Sequence, residues 1–207
     1  LDEIRAVADR VTVIRRGKSI QTVSIEGATN KDLAEMMVGR SVSFVTEKEE
    51  AQPKEVVLQI SDLVVNENRG VPAVKELSLD VRAGEIVGIA GIDGNGQSEL
   101  IQAITGLRKV KSGSIKIKGQ EVVGLSPRKI TEMNVSHVPE DRHRDGLVLE
   151  MMLSENIALQ TYYKEPLSKN GALNYNQINS YARKLMEEFD VRAANEIVPA
   201  SALSGGN

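Results

Sequence analysis

Eight consecutive residues, Gly91-Ile92-Asp93-Gly94-Asn95-Gly96-Gln97-Ser98, have the glycine spacing and closing hydroxyl of a phosphate-binding loop. Glycines let backbone N–H groups curl around phosphate oxygens, and a serine hydroxyl at the end of such a loop can hold a Mg²⁺ ion. The usual pattern places a lysine just before that hydroxyl. Here Gln97 stands in its place and offers amide dipoles instead of a mobile positive charge. The expectation is a nucleotide site that binds without hydrolysing.

A glycine-rich stretch alone is equally a flexible loop, so the flanking elements decide. Upstream, Glu85-Ile86-Val87-Gly88-Ile89-Ala90 is a short, nearly continuous apolar run, which predicts a strand buried on both faces. Downstream, residues 98–105 carry Leu100, Ile101 and Ile104 at helical spacing, with Gly106 as a C-terminal cap. Strand, glycine loop and helix in that order aim the positive end of the helix dipole at a bound anion.

Other elements must position this loop. Residues 1–9 predict a short helix with Ile4, Val7 and Ala8 inward. Residues 10–15 and 19–23 read as strands around an Arg16-Gly17-Lys18 turn. Thr29-Asn30-Lys31-Asp32 resembles a capping box before a helix with Leu33, Met36 and Met37 on one face and Gly39 at its end. Residues 41–54 are polar and aperiodic and read as a linker. Beyond it, residues 56–60 and 73–81 predict strands around a polar turn at 66–70, and residues 82–85 form a turn. Residues 114–118 and 121–123 predict a hairpin around Gly119-Gln120. Ser126-Pro127 starts a helix, and residues 135–138 form a short strand. Ser154 caps a helix through Leu159. Residues 176–189 form a longer helix with Ile178, Tyr181, Leu185 and Phe189 inward.

Composition excludes several function classes. The net charge of −3 argues against general nucleic-acid binding, which needs a basic footprint. There is no cysteine, so disulfides, thiol catalysis and Cys-ligated zinc are excluded. His137 and His143 lack the company a zinc site needs. No apolar run approaches the length of a transmembrane helix, so membrane association would come through partners. Leu1 is not an initiator methionine, and Ser204-Gly205-Gly206 has the character of a helix start, so the chain reads as a piece of a longer protein.

A second motif, Leu203-Ser204-Gly205-Gly206-Asn207, follows the phosphate loop beyond a helical insert. Together the two motifs resemble the ATP-binding cassette (ABC) family of transport ATPases, with Asn207 replacing the glutamine of the family's signature. Ser204 and the two glycines would start a helix whose N–H groups face a phosphate. In the family, that phosphate belongs to ATP held by the opposite cassette of a head-to-tail pair. A third stretch, His137-Val138-Pro139-Glu140-Asp141-Arg142-His143-Arg144-Asp145-Gly146-Leu147, sits where the family has its Q-loop, and Glu140 aligns with the glutamine that touches the metal. Val-Pro-Glu-Asp-Arg followed by Asp-Gly-Leu looks like the second cassette of tandem ATPases serving sugar and nucleoside importers. Residues 1–18 resemble the end of a first cassette, just past its switch histidine.

The resemblance implies an incomplete α/β P-loop NTPase cassette with an antiparallel β subdomain and part of the helical subdomain. Residues 1–40 would be the tail of the first cassette, 41–54 a linker, and 55–207 the first part of the second cassette. The ligands implied are ATP and Mg²⁺. Nucleotide contacts would come from Gly91, Asp93, Gly94, Asn95, Gly96, Gln97, Ser98, Glu140, Leu203, Ser204, Gly205, Gly206 and Asn207, and metal contacts from Ser98 and Glu140. No set of catalytic residues is complete within these residues, so this stretch alone is expected not to hydrolyse ATP. The partners implied are membrane-spanning permease subunits, a substrate-binding lipoprotein or periplasmic protein acting through them, and the other cassette. The place implied is the cytoplasmic face of the membrane.

Two departures mark a degenerate site: Gln97, and the lack of an aromatic residue around Asn66 to Arg69 to stack on adenine. Three other readings compete. A soluble ABC protein acting on ribosomes or DNA would need a basic surface. A P-loop kinase or GTPase leaves Leu203 to Asn207 unexplained. A non-enzymatic scaffold would use the loop only structurally. The residues leave the transported solute open, with a leaning toward nucleosides from the form of residues 91–97.

Overall fold

The computed structural model describes residues 1–41 and 48–204, which fall into two compact units, Leu1–Ala51 and Gln52–Asn207. In the first unit, α1 (Asp2–Val7) leads into an antiparallel hairpin of β1 (Arg10–Arg15) and β2 (Lys18–Ser24). The turn at Arg16 and Gly17 takes φ of 51° and 73°, the handedness that matches strand twist. α2 (Asn30–Val38) opens on the expected capping box: the Thr29 hydroxyl accepts the Asp32 amide at 3.1 Å, and the Asp32 carboxylate accepts the Thr29 amide at 2.9 Å. The Thr29 hydroxyl first, and then its amide, hold the Asp32 carboxyl below its ordinary pKa. At the other end of α2, the Arg15 guanidinium donates to the Met36 carbonyl at 3.1 Å, a cation at the negative end of the helix.

Leu33 is fully buried against Val13 and Ala28, and Met36 packs beside them, but Met37 is exposed. The inward face expected over residues 1–9 is not formed: Ile4 and Val7 are exposed, Ala8 past the helix end is half-buried, and α1 buries no residue. Of the expected linker, residues 48–54 lack regular structure and 42–47 lie outside the described residues.

The second unit is built on a four-stranded antiparallel sheet in the order β4-β3-β5-β6, with β3 (Val56–Asn66), β4 (Pro72–Arg82), β5 (Val110–Ile117) and β6 (Gln120–Glu121). Ile60 sits opposite Leu79 on one side and Ile115 on the other, so β3 is paired along both edges. A bulge at Asp62, whose φ is 47°, bends β3. Gly113 passes so close there that a Cβ would lie 2.5 Å from the Asp62 carbonyl oxygen. One face of the sheet is covered by α3 (Gln97–Ile104) and α4 (Pro127–Glu132), giving a core of Ile60, Leu63, Val65, Ile115 and Ile117 with Leu100, Ala103 and Ile130. Each such aliphatic side chain contributes roughly 1.5–3 kcal/mol when fully buried.

Two expected strands are not formed. Residues 85–90 join no strand among the described residues, and Ile86 and Ile89 are exposed rather than buried on both faces. Residues 135–138 are likewise irregular, with Val138 exposed. An apolar run becomes a strand only where another edge satisfies its N–H and C=O groups.

The helical insert follows, with α5 (Leu153–Ala158), a short hairpin of β7 (Ser168–Lys169) and β8 (Ala172–Leu173), and α6 (Tyr175–Glu188). Met152, not Ser154, is the N-cap of α5, and its amide donates to the Glu155 carboxylate at 3.0 Å. Ser154 is instead a buried helical residue. α6 begins where the Asn174 side chain accepts the Gln177 amide at 3.2 Å. Ile178, Ala182 and Tyr181 face inward, but Phe189 lies past the helix end and is exposed. Tyr163 ties the insert to α4: its hydroxyl donates to the Glu132 carboxylate at 2.8 Å, and the Arg128 guanidinium lies 4.2 Å from its ring centre.

Candidate functional site

The glycine loop hangs between β4 and α3, and its shape has identifiable causes. Gly94 and Gly96 have φ of 84° and 98°, which side chains rarely adopt. A Cβ on Gly96 would also lie 2.6 Å from the Ala73 carbonyl oxygen, so β4 holds the loop at a distance only glycine permits. α3 anchors the far side through buried Leu100 and Ala103, while Ile101, expected on the inner face, is 38% exposed. Its first turn is closed by the Leu100 amide on the Gly96 carbonyl at 2.9 Å. The earlier amides of the helix are those that a helix cannot satisfy internally, and they lie at its positive end. Gly91, Asp93, Gly94, Asn95 and Ser98 are all exposed. A cradle of two left-handed glycines followed by a helix start and an exposed hydroxyl fits a phosphate with an associated divalent cation.

Gln97 does not extend into this cradle as a free arm. Its side-chain N–H donates to the Ile92 carbonyl at 3.2 Å, across the loop. It comes so close to Gly91 that a Cβ there would sit 2.1 Å from the Gln97 Nε2 atom. The residue in the lysine position therefore braces the loop from within. The residue types give no sign of this bond, because the acceptor is a backbone carbonyl.

The second predicted segment has a different organiser than expected. Glu140 is exposed, and it is Asp141 whose carboxylate accepts the amides of His143 and Arg144, both at 3.1 Å, capping a π-helical turn at Arg142–Gly146. Arg144 and Asp145 pair at 2.8 Å. Hydrogen bonding from Arg144 is the main reason the Asp145 carboxyl sits below its ordinary pKa, and the same bond raises that of Arg144.

Of the third segment, Leu203 is half-buried and follows a 3-10 turn at Ala200–Ala202, and Ser204 is exposed. Gly205, Gly206 and Asn207, and with them the helix start expected there, lie outside the described residues.

A residue that sequence reasoning passed over is Asn156. Its side-chain oxygen accepts the Val148 amide at 2.8 Å, and its NH₂ group donates to the carbonyls of Val148 at 2.9 Å, Met152 at 3.1 Å and Met151 at 3.3 Å. An asparagine in a short helix is commonplace, and nothing in its spacing marks it.

A family model described as ABC transporter matches residues 74–207. The nucleoside import ATP-binding protein NupA of Lactococcus lactis subsp. cremoris (strain MG1363) is 72% identical over 207 residues, covering 100% of this chain and 41% of that protein. The guanosine import ATP-binding protein NupO of Bacillus subtilis (strain 168) is 54% identical over 201 residues, covering 97% of this chain and 39% of that protein. The chain thus spans about two fifths of the length of these curated relatives. Among solved structures, the dimeric structure of MJ0796, a bacterial ABC transporter cassette, superposes with a TM-score of 0.58 at 21% identity, covering 72% of this chain and 64% of that one.

Proposed function

The chain belongs to the ABC transporter family, and we propose on that premise that it is part of the ATP-binding subunit of a nucleoside importer. The observation that carries this reading is the identity to NupA, which runs through both units and not the phosphate loop alone. Residues 1–40 close a first cassette, 41–54 link, and 55–207 open a second. The unit boundary between Ala51 and Gln52 falls within that linker, which supports the division.

In this reading the amides of residues 91–98 hold the phosphates of ATP, and Gly96 keeps the loop open toward them. Mg²⁺, held by Ser98 with Glu140, would neutralise charge on the terminal phosphates. Gln97, engaged with the Ile92 carbonyl, brings no positive charge, so this site holds nucleotide more than it turns it over. Leu203, Ser204, Gly205, Gly206 and Asn207 serve the nucleotide of the opposite cassette. The partners are permease subunits at the cytoplasmic face of the membrane, fed by a substrate-binding protein.

The test is uptake. A strain lacking the full-length gene should lose accumulation of labelled guanosine or adenosine and regain it on complementation, with unlabelled ribose or glucose failing to compete. Competition by ribose alone would move the assignment to sugars. The 207-residue chain by itself should release no phosphate from ATP. Steady release that Ser98→Ala abolishes would contradict the assignment of the catalytic groups to residues outside it.

A further inference from the structure

Two segments far apart in sequence lie side by side in the insert. The Leu153 amide donates to the Val198 carbonyl at 2.9 Å and the Ser154 amide to the Glu196 carbonyl at 2.8 Å. In return, the Ala200 amide donates to the Met151 carbonyl at 3.0 Å and the Ser201 amide to the Leu149 carbonyl at 3.0 Å. Met152 and Pro199 form the antiparallel bridge between these pairs. The result is a two-ply ribbon of residues 149–154 and 196–201. The chain enters it directly from the Arg142–Gly146 turn and leaves it at Leu203 and Ser204.

Each ply is pinned to a helix. Asn156 holds the first, using its whole carboxamide on Val148, Met151 and Met152. The second is held by Glu196, whose carboxylate pairs with Arg183 of α6 at 2.5 Å. A ribbon with backbone bonds in both directions resists sliding, since any shift breaks several bonds at once, including those donated by buried Leu153, Ser154 and Ala200.

We infer that Asn156 is a positioning residue: it clamps the ribbon so that displacement at Glu140 and the adjoining turn is carried to Leu203 and Ser204 as one rigid movement. The inference rests on the nucleotide-binding reading above for its functional meaning, but its mechanical content does not. Without the clamp, Val148 loses both of its bonds to the Asn156 carboxamide, Met152 keeps only its Glu155 and backbone bonds to α5, and the turn can move while the Glu196–Ser201 ply stays.

The test is hydrogen exchange of the full-length protein, read residue by residue, with and without Mg·ATP. In the wild type the amides of Leu153, Ser154, Ala200 and Ser201 should open together. In Asn156→Ala all four should lose protection in parallel, by roughly tenfold or more, as members of one cooperative unit. Retained protection at Ala200 and Ser201 while Leu153 and Ser154 exchange freely would overturn the inference. Mg·ATP should change exchange at His143 and Arg144 and, in the wild type only, at residues 200–203 as well; an equal response at 200–203 in Asn156→Ala with unaltered ATP affinity would also overturn it. If Mg·ATP alters nothing, the nucleotide reading fails, while the nucleotide-free comparison still decides the clamp. Asn156→Asp keeps the acceptor for Val148 and loses the three donations, so it should give the same parallel loss if the alanine variant does not fold.

Discussion

Residues 56–66 and 85–90 are both rich in valine and isoleucine, yet Ile60 is 1% exposed and Ile86 85% exposed. The first stretch has a strand on each side, and its Leu63 and Val65 lie beneath α3 and α4. The second pairs with no strand among the described residues, and only its Glu85 and Val87 are half-buried. Apolar composition is thus a bid for a strand, and hydrogen-bonded edges decide whether it is met. The consequence for the candidate site is asymmetric: the glycine loop of residues 91–98 is fixed by β4 and α3, at Ala73 and Leu100, and not by the run that leads into it.

Substitutions in the two stretches should separate accordingly. Leu63→Ala should cost about 2–5 kcal/mol in urea unfolding of the 207-residue chain, because the cavity lies under the packed face of the sheet. Ile86→Ala should stay within about 0.5 kcal/mol, as for an exposed side chain. A comparable loss at Ile86 would mean that the run is covered in solution and the contrast is wrong.

A smaller effect tests how the sheet edge is held. Burial pulls the Glu121 pKa upward, but the Ser114 hydroxyl and the amides of Val123, Ile115 and Val122 pull it further down, and the net position is below the ordinary value. A lowered folded-state pKa stabilises above the unfolded value and loses that contribution as pH falls through the folded one. Stability should therefore decline on acidification below the ordinary glutamate range, and Glu121→Gln should flatten that decline. Because the side chain is largely exposed, the change should be small. An unchanged acid limb in Glu121→Gln would assign no role to these bonds.

The legibility of the sequence follows the same physics. Local signals were readable: the Thr29 and Asp32 box, the Gly39 and Gly106 helix ends, and the hairpin turn at Gly17 all depend on residues a few positions apart. The left-handed turns at Gly94 and Gly96 were readable because glycine spacing is itself the constraint. What could not be read depends on where a helix starts or stops and on bonds to the backbone, which residue types do not encode. Ser154 was expected as a cap and is a buried helical residue, because its neighbour Met152 takes the capping position with Glu155. Phe189 was expected inward, but α6 ends before it. The bond of Gln97 to Ile92 was not readable, since no residue type encodes a backbone carbonyl.

The most direct test of the loop as a phosphate site lacking its charge is the affinity of the full-length protein for Mg·ATP at this site, by calorimetry, for wild type, Gly96→Ala and Gln97→Lys. A charge-assisted phosphate contact contributes roughly 1.5–3 kcal/mol, so Gln97→Lys should bind about 10–150 times more tightly. Gly96→Ala should lose binding, because its Cβ would drive the loop off the Ala73 carbonyl. Equal affinity in all three proteins would show that residues 91–98 are not shaped around phosphate.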